Sequence, residues 1–193
     1  MKKALTAVLL ASCLFSIASC NSLDKSAEKK PKMNMQQAAE QADDILDKTF
    51  AAVKPPVHWT HSDTTARECD VSRRRAVMTI ISKERRGSFL GVVERFWKAQ
   101  GYKQTSHNSD PEYPATYFQT PSGYQVRLRI GSDGQGFFEV ATPCVKHSEV
   151  DPPKSKTVGP DYSSGSYVGQ EIPAPNVRSD FWSLDKPVPA GGS

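Results

Sequence analysis

The sequence predicts an α+β fold: an antiparallel sheet of about four to five strands, covered on one face by two helices as a two-layer sandwich. Two segments repeat apolar residues at the helical period, and a third alternates apolar and polar residues strictly. Short turn sequences separate the remaining apolar runs, as in a meander.

In chain order, the first helix is read from Met35. Apolar residues fall at 35, 38/39, 42, 45/46, 49/50 and 53, and Pro55-Pro56 ends the pattern. The next element is Ala76-Val77-Met78-Thr79-Ile80-Ile81, a largely apolar run in the stretch that Cys69 opens, read as a buried strand. A second helix is expected over 88–100, with Ser88 as its cap and Phe89, Val92, Val93, Phe96 and Trp97 as its apolar face. Glu94 and Lys98 pair four apart on its other side, and Gly101 stops it. Tyr102 begins a strand, and 115–120 is another. Pro121-Ser122-Gly123 turns the chain into Tyr124, Val126, Leu128 and Ile130, which alternate with Gln125, Arg127 and Arg129. Gly131-Ser132-Asp133-Gly134 turns it again into a closing strand over 137–145. An alternating sheet with one polar face fits helices on one side only.

Domain boundaries follow from composition. Residues 1–19 read as a cleaved signal peptide: Met1-Lys2-Lys3, then an uncharged apolar stretch from Ala4 to Ile17, shorter than the roughly 20 residues a membrane span needs. Residues 20–34 are polar and Lys-rich, with Pro31, and read as a flexible tether. Residues 35–147 form the domain. In 148–193, 20 of 46 residues are Pro, Gly or Ser, which predicts a disordered, low-complexity tail, with Phe181-Trp182 as a point that docks on the domain or on a partner.

Ile17-Ala18-Ser19-Cys20 resembles the lipobox of bacterial lipoproteins: an aliphatic residue, two small residues, then Cys. The resemblance implies a lipid on the Cys20 thiol, cleavage just before it, and an outward-facing protein held on the cell membrane by that lipid. The domain also resembles small uncharacterised actinobacterial lipoproteins, on Pro55-Pro56 before His58-Trp59, the Cys69-led strand, the Phe96-Trp97 helix, Gly101-Tyr102 and Thr142-Pro143-Cys144. That likeness implies no activity.

Of four cysteines, Cys13 leaves with the signal and Cys20 takes the lipid, so Cys69 and Cys144 remain in an oxidising compartment. A disulfide is the economical reading, and a single reactive thiol is the competing one. A bridged loop of about 76 residues is worth up to ~4.5 kcal/mol on chain-entropy arithmetic.

The net charge of +4 falls to +2 without Lys2 and Lys3, which argues against a nucleic-acid partner. Charge is nevertheless concentrated: Arg73, Arg74, Arg75, Lys83, Arg85 and Arg86 lie within 14 residues, and Arg127 and Arg129 add to the open sheet face. Arg73, Arg74, Arg75, Arg85, Arg86, Arg127 and Arg129 are therefore candidates for binding an anionic envelope component, against an ordinary solvated surface. They flank a strand at both ends and need not form one patch. His58 and His61 stand three apart beside Asp63, Glu68 and Cys69, but after Pro55-Pro56 they read as a solvated loop, so no metal site is assigned. No catalytic residue and no cofactor is assigned either, since no nucleophile elbow, zinc-protease motif or phosphate-binding loop occurs. The function expected is a non-catalytic envelope binding or interaction domain, acting on the membrane through Cys20 and on an anionic component or a protein partner. An envelope enzyme with dispersed active-site residues is the alternative.

Overall fold

The computed structural model describes residues 33–188. The signal peptide, Cys20 and the tether through residue 32 lie outside the described residues. Two long helices and six strands follow in the order α1 (Met35–Ala52), β1 (Trp59–Ala66), β2 (Val71–Val77), α2 (Lys83–Ala99), β3 (Lys103–Asn108), β4 (Ala115–Gln119), β5 (Gln125–Ile130) and β6 (Gly136–Ala141). One antiparallel sheet holds all six strands, in the order β1-β2-β6-β5-β4-β3. The α+β class stands, with six strands rather than four to five.

The added strand is β1. Its residues, WTHSDTTA, place one large apolar side chain, Trp59, on the helix side, so no alternation marks it. Its pairing with β2 slips between Ser62 and Thr65, a bulge. The stretch read as a solvated loop at His58 and His61 is therefore largely sheet, and His61 is buried. The neighbouring strand also moves: β2 runs through Arg73–Arg75 and ends at Val77, so Met78–Ile81 lies beyond it. Charged residues at inward-facing positions concealed it from a hydrophobic reading.

The α1 helix starts with a capping box, in which Asn34 accepts from the Gln37 backbone and the Gln37 side chain accepts from the Asn34 backbone. Its buried stripe, Ala38, Ala39, Ala42, Leu46 and Phe50, lies over β2 and β6. The α2 helix begins at Lys83, with Ser82 as its N-cap, five residues before the expected start. The Ser82 hydroxyl donates to the Leu184 carbonyl (2.6 Å) instead of capping the helix itself. Phe89, Leu90, Val93 and Trp97 face the sheet near β3 and β4, and the Trp97 indole donates to Thr49 (3.0 Å), tying α2 to α1. Both helices thus lie on one face, over a core centred on Phe118, Leu128 and Phe138.

Gly134 shows how tightly the β5–β6 turn seats against the β2–α2 connection. Its φ is +71°, and a Cβ there would stand 2.0 Å from the Ile81 carbonyl oxygen. A disulfide joins Cys69 and Cys144 with a Cα separation of 4.8 Å, linking the β1–β2 hairpin to the segment after β6.

The expectation of a disordered tail gives way to a packed strap over 148–188. The Trp59 amide donates to the Val158 carbonyl (3.1 Å), closing the outer edge of β1, and Ile80 donates to Val177 (2.9 Å). Trp182 is 1% exposed, stacked edge-on to Phe89, and its indole donates to the Pro55 carbonyl (2.7 Å). Composition misleads here because the strap contributes little apolar area of its own. It is held by hydrogen bonds to groups that the domain leaves unpaired, plus the docking at Trp182.

Candidate functional site: the open face of the sheet

Side chains alternate along each strand, so residues 71, 73, 75 and 77 of β2 face the helices and 72, 74 and 76 face away. This divides the candidate cations into three sets. Arg73 and Arg75 point into the layer under α1. The Arg73 Nε lies 3.2 Å from Asp43, and the Arg75 Nη1 lies 2.7 Å from Asp47. The strap adds acceptors to their shell: Arg73 donates to the Asp151 carbonyl (2.6 Å), Arg75 to the Ser155 hydroxyl (3.1 Å), and the His61 Nε2 lies 2.8 Å from the Ser155 carbonyl. The Arg75 guanidinium also lies 4.1 Å from the Trp59 ring centre. Burial pushes the Arg73 and Arg75 ionisation down and the Asp43 carboxyl up, because both charged forms lose water.

Arg85 and Arg86 form the second set, in the first turns of α2. Arg85 is buried, with its guanidinium over the Phe181 ring at 4.6 Å, and Arg86 donates to the Glu112 carbonyl. These residues tie α2 to the strap and to the β3–β4 loop.

Arg74, Arg127 and Arg129 form the third set, on the open face. Glu139 stands between the first two: Arg74 donates to it at 2.7 Å, and Arg127 contacts the same carboxylate oxygen. Burial of Glu139 opposes its ionisation, but the hydrogen bonds and charges of Arg74 and Arg127 together hold it below the usual carboxylate range. Arg129 is exposed and makes no ion pair among the described residues. Its cross-strand neighbour on the same face is Phe137.

Beside Phe137 the strap rises as a wall. Tyr162 is anchored by its backbone amide, which donates to the Thr60 hydroxyl (2.8 Å), and the chain continues through the exposed Val168 to Ile172. A cavity of about 630 Å³ lies between this wall and the sheet, lined by His61, Ser62, Asp63, Phe137, Tyr162 and 168–172. A smaller recess of about 50 Å³ shares Ser62 and Phe137 with it and reaches Arg74, Arg127, Arg129 and Glu139. A further cavity of about 470 Å³, between the β1–β2 hairpin and 147–153, reaches Arg73.

The open-face arginines were thus marked in the sequence, and Asp63 was noted only beside His58 and His61, while Glu139 and the wall were not marked. Within the wall, Tyr162 and Tyr167 lie edge to face with ring centres 4.8 Å apart. Among the described residues, no group of three or more His, Cys, Asp and Glu side chains could hold a metal ion, and no helix is long and apolar enough to cross a membrane. No protein-family model, curated protein or solved structure matches the chain.

Proposed function

We propose that the protein is a lipid-anchored, non-catalytic binding module of the cell envelope, whose open sheet face receives an anionic group of an envelope component. One observation carries the reading. The helices take one face of the sheet, and the other keeps three arginines against one carboxylate, with Arg129 unmatched among the described residues. Asp43 and Glu139, carboxyls whose ionisation the fold shifts, are both engaged by arginines as ties within the structure. The anchor is the lipid that the lipobox implies on Cys20, with stable attachment coming from more than one acyl chain.

Two measurements test it. Cys20→Ala moves the protein from the membrane fraction to the soluble fraction, and unchanged fractionation with no lipid mass on the N-terminus refutes the anchor. The released protein then co-sediments with washed envelope fragments in a salt-sensitive way, and Arg129→Glu abolishes this. Equal co-sedimentation of the Arg129→Glu protein refutes the open face as the binding surface.

A further inference from the structure

We infer that the cavity beside Phe137 binds a saccharide with adjacent hydroxyl groups, one sugar ring lying on Phe137 and an acidic substituent reaching Arg129. The inference rests on the binding reading above and names the class of ligand. Charge alone does not select that ligand. Ser62, Arg74, Glu139 and Arg127 stand in register across the open face, so cation, carboxylate and cation alternate. Arg74 also donates to the Asp63 carbonyl (3.2 Å). A polyanion or a simple ammonium ion laid on this row would meet a like charge within one strand spacing, about 5 Å.

The lining offers hydrogen-bonding groups instead. Ser62, Asp63, Ser163, Gln170 and Glu171 line the cavity, whose volume of about 630 Å³ is that of a small-molecule site. The Ser62 hydroxyl and the Asp63 and Glu171 carboxylates make no hydrogen bond or ion pair among the described residues. The Gln170 amide donates to the Ser166 carbonyl (2.8 Å), which leaves its amide oxygen as an acceptor. An ionised carboxylate only accepts, through two oxygens, and a pair of adjacent hydroxyls matches it without adding charge. A sugar ring carries such pairs, together with an apolar face of C–H bonds. Phe137, half-buried, meets that face: its ring lies across Gly131, where a Cβ would stand 2.9 Å from it. Arg129 is the cross-strand partner of Phe137 on the same face, with Cβ atoms about 5 Å apart. An acid group on a ring stacked at Phe137 therefore reaches the one open-face arginine that has no ion pair among the described residues.

The test uses the full chain carrying Cys20→Ala and three samples of washed envelope fragments: untreated, digested with protease, and oxidised with periodate then reduced with borohydride. Periodate cleaves carbon–carbon bonds between adjacent hydroxyls. It is expected to weaken co-sedimentation about tenfold or more, while protease digestion leaves it within about twofold. Glu171→Ala, at an exposed position, should weaken binding to untreated fragments about two- to tenfold, the worth of a hydrogen bond. Phe137→Ala should weaken it at least as much, and Phe137→Tyr should restore it. Loss of binding after protease digestion assigns the ligand to protein and overturns the inference. So does periodate sensitivity that Glu171→Ala and Phe137→Tyr both leave at the parent affinity while Phe137→Ala, folded by its melting curve, also binds like the parent, since the saccharide then sits elsewhere. If periodate-treated fragments bind like untreated ones while Arg129→Glu still abolishes co-sedimentation, the saccharide assignment fails and the binding surface stands. If neither treatment nor Arg129→Glu changes co-sedimentation, both readings fall.

Discussion

Replacing Trp182 with alanine isolates the contribution of the strap to the core. The side chain is 1% exposed, although a Pro- and Gly-rich segment carries it. It packs edge-to-face on Phe89 at 5.2 Å and on Phe181 at 4.7 Å, and its indole donates to the Pro55 carbonyl at 2.7 Å. Truncating a buried Trp to Ala costs about 3–5 kcal/mol in lost burial and cavity formation. The orphaned Pro55 carbonyl lies near the surface end of the contact, so the lost hydrogen bond adds no more than about 1 kcal/mol. For a domain of this size each kcal/mol lowers the melting temperature by roughly 2–4 °C, so the variant should melt roughly 6–24 °C lower. Far-UV circular dichroism is the assay, since it does not depend on the removed fluorophore. A variant that melts within about 2 °C of the parent would refute the reasoning, because Trp182 would then contribute no buried contact in solution.

Three further outcomes follow from the charged groups and the disulfide. Asp43→Ala leaves the buried Arg73 without its carboxylate and should cost about 3–5 kcal/mol in urea unfolding, whereas Asp43→Leu with Arg73→Met should recover most of the loss; equal destabilisation of both proteins would show that the pair is not a coupled unit. Glu139 ionises below its ordinary value of 4.5 in the fold, so the native state holds fewer protons than the unfolded chain, and the stabilisation present above that value is lost as pH falls through the lower folded one. Urea midpoints between about pH 6 and pH 3 should therefore fall more steeply for the parent than for Glu139→Gln, and parallel curves would contradict the assignment. Cys144→Ala should lower the melting temperature by several degrees, and thiol labelling of the denatured, unreduced protein should find neither Cys69 nor Cys144 reactive; labelling at both would disprove the bond.

The legible parts of the fold were those where one physical signal dominates. The β5 alternation appears in the structure as read, and the α2 face does so at Phe89, Val93 and Trp97, with Leu90 buried beside them and Val92 and Phe96 only partly buried, because burial of apolar side chains dominates there. The Glu94–Lys98 pair is present at 3.7 Å. The disulfide between Cys69 and Cys144 was legible by elimination of the other two cysteines. What escaped were elements stabilised by polar partners distant in sequence. β1 offers His61 to the layer beneath α1, and β2 offers Arg73 and Arg75, so neither shows the pattern of a half-buried strand. Their partners, Asp43 and Asp47 on α1 and Asp151 and Ser155 on the strap, lie from 28 residues away, as with Arg75 and Asp47, to 94, as with His61 and Ser155. Local periodicity carries no information about such pairings. The candidate site was half legible for the same reason: Arg74, Arg127 and Arg129 stood out as charges, but their separation from Arg73, Arg75, Arg85 and Arg86 is decided by strand parity and by where α2 begins.

The buried arginines and the strap explain each other. A guanidinium at an inward sheet position needs several acceptors, because an unpaired buried charge is far more costly than an unpaired buried amide. α1 supplies one carboxylate to each of Arg73 and Arg75, which leaves further donors on both groups. The strap meets that need with carbonyl and hydroxyl oxygens, Asp151 O and Ser155 Oγ, while the Ser155 hydroxyl in turn donates to Asp47 at 2.8 Å. A segment poor in apolar residues can thus be ordered largely by polar contacts, with Trp182 as its buried anchor, where the domain presents groups that need partners. The same crossing carries the chain past β1 and on to the wall at Tyr162–Ile172. The strap that meets the buried arginines under α1 thus also forms the wall of the cavity on the opposite face, where the Tyr162 amide donates to the Thr60 hydroxyl.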